Sequence, residues 1–217
     1  MTMHATPESD GIPGPNTGRA AGAALLTAAI LTVVAMGHHP SGPESPAEGL
    51  GMTLGAFIHG TMIVILCANL WGLTVFSLRQ GRDPWILAGL LTYGIGFLGH
   101  LVAAMINGFV VPAVAAQVDP TLSRDVFQML WQANQASAAL GIYAASAAFL
   151  FWSVFLLRSK TSSRRLLGGL GLLVALGPAT ALYAGAIALD VDGAFIAYGA
   201  HAVWTGLLGI LLLRRSL

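Results

Sequence analysis

Residues 85–113 read WILAGLLTYGIGFLGHLVAAMINGFVVPA, and not one Asp, Glu, Lys or Arg interrupts them. A water-facing surface needs charge to stay wetted, whereas a bilayer crossing needs about 20 apolar residues in succession. In hydrocarbon the backbone must satisfy its own hydrogen bonds, and a run of this kind does so as a helix. Tyr93, His100 and Asn107 break the run at seven-residue intervals, which places them on one helix face.

Five similar runs lie outward from this one, at roughly 20–36, 52–78, 126–157, 166–189 and 194–213. Hydrophobic residues make up 56% of the 217 positions and charged residues 9%, too few charges to cover a globule of that size in water. The expected fold class is therefore all-α: a polytopic integral membrane bundle of six helices, spanning 19–217. Residues 1–18, rich in Gly, Pro and polar side chains, read as a disordered tail. Ala35-Met36-Gly37 offers small residues for leader cleavage. The apolar stretch before it is longer than the about 7–15 residues usual for a leader, so six uncut spans are expected.

Charge sets the expected orientation. Arg19, Arg79, Arg82, Arg158, Lys160, Arg164, Arg165, Arg214 and Arg215 all flank the spans on one side, and only Arg124 falls on the other. By the positive-inside rule both termini are cytoplasmic, and the chain is expected in the inner (cytoplasmic) membrane with the lipid bilayer as its surroundings. A net charge of +1 offers no basic patch, so no nucleic-acid partner is expected. The single cysteine, Cys67, has no partner for an internal disulfide. A homo-oligomer or a membrane-complex partner is left open. Gly177-Pro178, in the middle of the fifth run, predicts a kink.

No carboxylate or amine lies within the apolar core of any span, which argues against a carboxylate-based pump or an intramembrane aspartyl enzyme. There is no phosphate-binding glycine loop with its Lys, no GxSxG, no CxxC and no HExxH. Histidine remains. Counted from the nearest basic residue on the cytoplasmic side, His201 stands about 20 Å up, His100 about 27 Å, His38 about 28 Å and His59 about 30 Å. Four helices thus carry histidine into the same half of the bilayer.

Polar companions share those faces: Tyr198 with His201, and Gln132 with Gln135 on the fourth span. The expectation is that His59, His100 and His201 converge on one site with His38 or His39 at its outer rim. Gln132 and Gln135 are expected to face the bundle, with Phe149 and Phe151 less constrained. Neutral imidazole binds Zn, Cu or haem iron without adding net charge to a low-dielectric site. Met36, Met62 and Met105 stand near His38, His59 and His100, and thioether donors favour copper. The functional expectation is a metal ion (Cu or Zn) or haem held for redox chemistry, metal handling or hydrolysis. Its rivals are a small transporter or channel lined by Gln, Asn, Tyr and His, and a non-catalytic subunit of a larger membrane complex. Against all three stands the plainer reading of packing histidines that bond to neighbouring helices.

Overall fold

The structure is a computed structural model that describes residues 14–39, 54–116 and 123–214. Those residues form six long helices and no strand. They are α1 (Pro15–Gly37), α2 (Leu54–Arg79), α3 (Pro84–Ala115), α4 (Ser123–Leu157), α5 (Ser162–Tyr183) and α6 (Val191–Leu213). All six are long and apolar enough to cross a membrane. The chain is built as a multi-pass membrane protein.

Local chemistry places the helix ends. Pro15 opens α1, inside the stretch expected to be tail, because the first helical turn needs no N–H from that residue. Asp83 and Asp190 cap α3 and α6 by accepting from the Trp85 and Gly193 N–H groups, each at 2.9 Å. The fifth helix stops at Tyr183, short of the expected 189. There the Ala186 N–H reaches back to Ala181 O at 2.8 Å while Gly185 turns to φ 68°, a C-terminal cap that glycine adopts without strain. Pro178 is accommodated within α5.

One irregularity matters for the site. Pro112 has no N–H to offer the carbonyl one turn before it. The helix widens upstream into a single π turn, Ile106–Val110, in which the Val111 N–H bonds to Ile106 O.

Helices adjacent in sequence are neighbours in space, and α6 packs on α1 to close the ring. Small residues let the backbones touch. On the α1–α6 seam a Cβ on Gly22 would stand 2.7 Å from Gly209 O, and one on Gly209 would stand 2.7 Å from Gly22 O. Apart from Arg124, the basic residues collect at one end: Arg79 reaches Gly14 O at 3.4 Å, and the Arg158 guanidinium lies 5.2 Å from the Trp85 ring centroid. Above that end an aromatic core fills the middle of the bundle. Trp152 and Trp204 stack at 6.0 Å with planes 7° apart, Phe149 sits 4.8 Å from Trp204, and all three are buried. The two indole N–H groups donate to Ile86 O and Leu167 O, so neither is left unsatisfied. Phe149, expected to be less constrained, is 1% exposed, because it continues the inward face that α4 shows through Ile142, Ala145 and Trp152.

Candidate functional site: a histidine-lined cavity

On the far side of the aromatic core from the basic end, the bundle opens into a cavity of about 480 Å³. Helices α1, α2, α3, α4 and α6 all contribute to its wall. Of the residues singled out in the sequence, His39, His59, His100, His201, Met36, Met62, Tyr93, Asn107, Tyr198 and Gln135 line it. Exposed Trp131 and Asp190 stand at its rim.

Three of the residues singled out lie elsewhere, His39 alone taking the rim position. His38 is exposed and turns its Nδ1 to Val34 O at 2.9 Å, because adjacent residues cannot both face one site. Met105 is 43% exposed, since five residues beyond His100 lies well off the Tyr93–His100–Asn107 face. Gln132 is exposed as well, while Asn134 is buried and donates to Ala103 O at 2.9 Å. Residues two positions apart on an α-helix point about 200° from one another, so the inward position belongs to Asn134 and Gln132 points away.

The histidines occupy two tiers. In the upper tier His39, just past the end of α1, and His59, one turn into α2, approach with their Nε2 atoms 3.3 Å apart. The Nδ1–H of His59 donates to Gly55 O at 2.7 Å, which fixes the tautomer and leaves its Nε2 a lone pair toward His39. Gly108 of the π turn presses against His59, where any side chain would collide.

In the lower tier His100 packs against Gly141 and shares a 3.0 Å hydrogen bond through Nδ1 with the Tyr198 hydroxyl. His201 lies 3.4 Å from Ser146 Oγ through Nε2, its ring 4.7 Å from that of Phe149. Positions 100 and 108 carry the two tiers on α3, about 12 Å apart along the axis. Among the described residues no three His, Cys, Asp or Glu side chains are grouped to hold one ion. His59, His100 and His201 therefore share a cavity without forming the three-histidine centre that the sequence led us to expect.

The upper pair has the geometry of ligands. Two nitrogens each bonded at 2.0–2.1 Å to one ion, at the tetrahedral angle, stand about 3.3–3.4 Å apart. An iron held from opposite sides, as between the axial imidazoles of haem, would keep them about 4 Å apart. The observed spacing fits the first case and is too short for the second. The same spacing accommodates a hydrogen bond in which the His39 ring donates to the His59 Nε2 lone pair.

Comparison with protein-family models, curated proteins and solved structures finds no match to this chain. The cavity is read on its own geometry.

The sequence reading missed Asn69. It lines the cavity from α2, is 9% exposed, and its Oδ1 has no hydrogen-bond partner. The signal was available, since Asn69 is the one amide in the apolar stretch from Met62 to Leu73.

Proposed function

We propose that this chain is an inner-membrane protein that captures a transition-metal ion, copper or zinc, between His39 and His59 at the outer mouth of its cavity. The observation that carries this reading is the 3.3 Å separation of the two Nε2 atoms. The fixed tautomer of His59 supports it, because metal-binding imidazoles usually donate their second N–H to a carbonyl or carboxylate. Met36 and Met62 line the same cavity and would favour Cu(I) over Zn(II) once the ion is within reach of a thioether. The clustered basic residues face the cytoplasm in this reading, which turns the cavity outward. Haem is the weaker choice, on the spacing argument above.

The function is then metal handling: uptake from the outer face, storage or delivery. A second reading, a transport path, draws on the depth of the cavity, which runs from His39 inward to Asn69 and Thr205.

The test is direct. Metal-free purified protein is titrated with Zn(II) and with Cu(I) against a competing chelator, alongside His39→Ala, His59→Ala and His38→Ala. One ion per chain is expected, lost in the first two variants and kept in the third. An unchanged affinity in the His39→Ala/His59→Ala double variant would end the proposal.

A further inference from the structure

The polar groups around the lower cavity divide into those with a partner in the protein and those without. Asn134 and Gln135 donate to Ala103 O and Leu189 O, and Thr205 donates to His201 O. Asn69 Oδ1 has no partner but is sealed from the cavity by its neighbours. Tyr93 differs. Its side chain is 6% exposed, its ring packs 6.4 Å from that of Phe149 and 5.7 Å from that of Trp152, and among the described residues nothing hydrogen-bonds its hydroxyl. That oxygen is not sealed as Asn69 Oδ1 is, and the residue lines the cavity. Seven residues along the same face, His100 is 7% exposed, engages Tyr198 through Nδ1 and keeps Nε2 unpartnered and unsealed in the same way.

Two polar atoms on deeply buried side chains of one helix face thus open onto the cavity, and buried groups of this kind normally meet a counterpart. Each is able to act as donor or acceptor. A tyrosine hydroxyl does both. His100 follows Tyr198: when that hydroxyl donates to Nδ1, Nε2 carries the proton and donates, and when Nδ1–H donates to the Tyr198 oxygen, Nε2 accepts. The pair therefore receives a carbonyl or a hydroxyl equally well.

Charge and size narrow the guest. No Lys or Arg lines the wall, and its one carboxylate, Asp190, stands at the rim with Oδ1 accepting from the Gly193 N–H. An ion of either sign on the floor would be buried without a counter-ion, which a neutral guest avoids. The cavity of about 480 Å³ suits a small molecule, and Met62, Ile65, Leu66 and Phe149 give it apolar walls. The levels of Tyr93 and His100 on α3 differ by about 10 Å. The two oxygens of a para-quinone, with a hydrogen bond of about 2.8 Å at each end, bridge about 11 Å.

We propose that the lower cavity binds a neutral para-quinone and its hydroquinone, one ring oxygen on the Tyr93 hydroxyl and the other on His100 Nε2. The site does not rest on the metal reading, because neither residue belongs to the His39–His59 pair.

Probes of one shape test this: tetramethyl-1,4-benzoquinone, its hydroquinone kept under nitrogen, and the hydrocarbon 1,2,4,5-tetramethylbenzene, with 2,4,6-trimethylbenzoate and 2,4,6-trimethylbenzylammonium as charged counterparts. Each is titrated calorimetrically into the full-length protein in detergent with a metal chelator, against a protein-free detergent blank. Quinone and hydroquinone are expected to bind at least about fivefold more tightly than the hydrocarbon, the scale of two net hydrogen bonds, and neither ion measurably. Tyr93→Phe keeps the packed ring and removes only the hydroxyl, so it should weaken the quinone about threefold to tenfold and leave the hydrocarbon unchanged. Gln132→Ala, which faces away, should change neither, and the His39→Ala/His59→Ala protein should keep quinone binding. The ranking of probes on the unmodified protein needs no variant to fold. Equal binding of hydrocarbon and quinone, a bound ion, a hydroquinone that does not bind, or no binding of any probe would overturn the proposal. So would an unchanged quinone affinity in Tyr93→Phe, or its loss in the double histidine variant.

Discussion

Gly108 is where the π turn of α3 touches the upper histidine, and replacing it by Ala tests whether that contact sets the pair. A Cβ at position 108 would overlap the Cβ of His59. That atom is tied to the α2 backbone, so relief requires α2 and the π turn to part; no flexible side chain can swing aside. Overpacking of this kind costs about 1–3 kcal/mol, and Ala recovers about 1 kcal/mol over Gly in a helix, for a net loss of up to about 2 kcal/mol. Gly94 on the same helix is the control, because a Cβ there meets nothing within 4 Å. Gly94→Ala keeps only the propensity gain, so the two variants should differ by the overpacking cost, roughly 1–3 kcal/mol. Equilibrium unfolding of the purified protein in mixed micelles reads that difference. The same preparations, titrated with metal, should show Gly108→Ala weaker by about 10–100-fold, the usual effect of disturbing what orients a metal ligand. Gly108→Ala as stable as Gly94→Ala, or with unchanged metal affinity, would refute the reasoning.

Metal affinity should fall from about pH 7.5 to about pH 5, because protons compete for the imidazole lone pairs that ligate; equal affinity at both would count against histidine ligands. Reporter fusions after Arg82 and after Lys160 should give cytoplasmic signals, and fusions near Glu44 and Pro120 external ones, with a cytoplasmic signal at Pro120 breaking the orientation. Asn134→Ala should cost about 0.5–1.5 kcal/mol by removing the amide bond to Ala103 O, which keeps the Ile106 N–H, while Gln132→Ala should stay within about 0.5 kcal/mol. If the two variants unfold alike, the inward face of α4 has been misassigned.

The bundle was legible because lipid imposes one rule on every crossing. Uninterrupted apolar length marks each helix, and the alternation of basic loops checks their number. The cavity was legible in part for a related reason: Tyr93, His100 and Asn107 repeat at an interval that survives any helix rotation, and all three reach it. The grouping of histidines into tiers was not legible. Depth counted along separate helices says how high a side chain stands, but not toward which neighbour it turns. His59 and His100 differ by only about 3 Å on that count, yet they contact α3 and α4 at well-separated points. The fourth span misled for a geometric reason. Gln132 and Gln135 look like a stripe, but the inward face of a helix this long is set by its closest packing. That face runs through Asn134, Ala138, Ala145 and Phe149, leaving Gln132 outside. Asn69 went unnoticed because it stands alone: the residues three and four positions away, Ile65, Leu66, Gly72 and Leu73, are apolar, so no polar stripe marks its face.

The aromatic core bears on which of the two functional readings the architecture favours. A path through the bundle would have to continue from the cavity floor toward the basic end. Immediately beneath the lower histidines stand Phe149, Trp152 and Trp204, all buried, in ring contact, with both indoles hydrogen-bonded to neighbouring helices. Gly89 and Gly171 are held free of side chains to admit those indoles, so the plug is built into the helix packing. Opening it would separate α4 from α6 and expose apolar rings that contribute much of the contact between them. A pocket closed at one end and rimmed by the His39–His59 pair at the other would hold its occupant and return it to the same side. Under the proposed reading, that arrangement suits capture and delivery at one face better than conduction across the membrane.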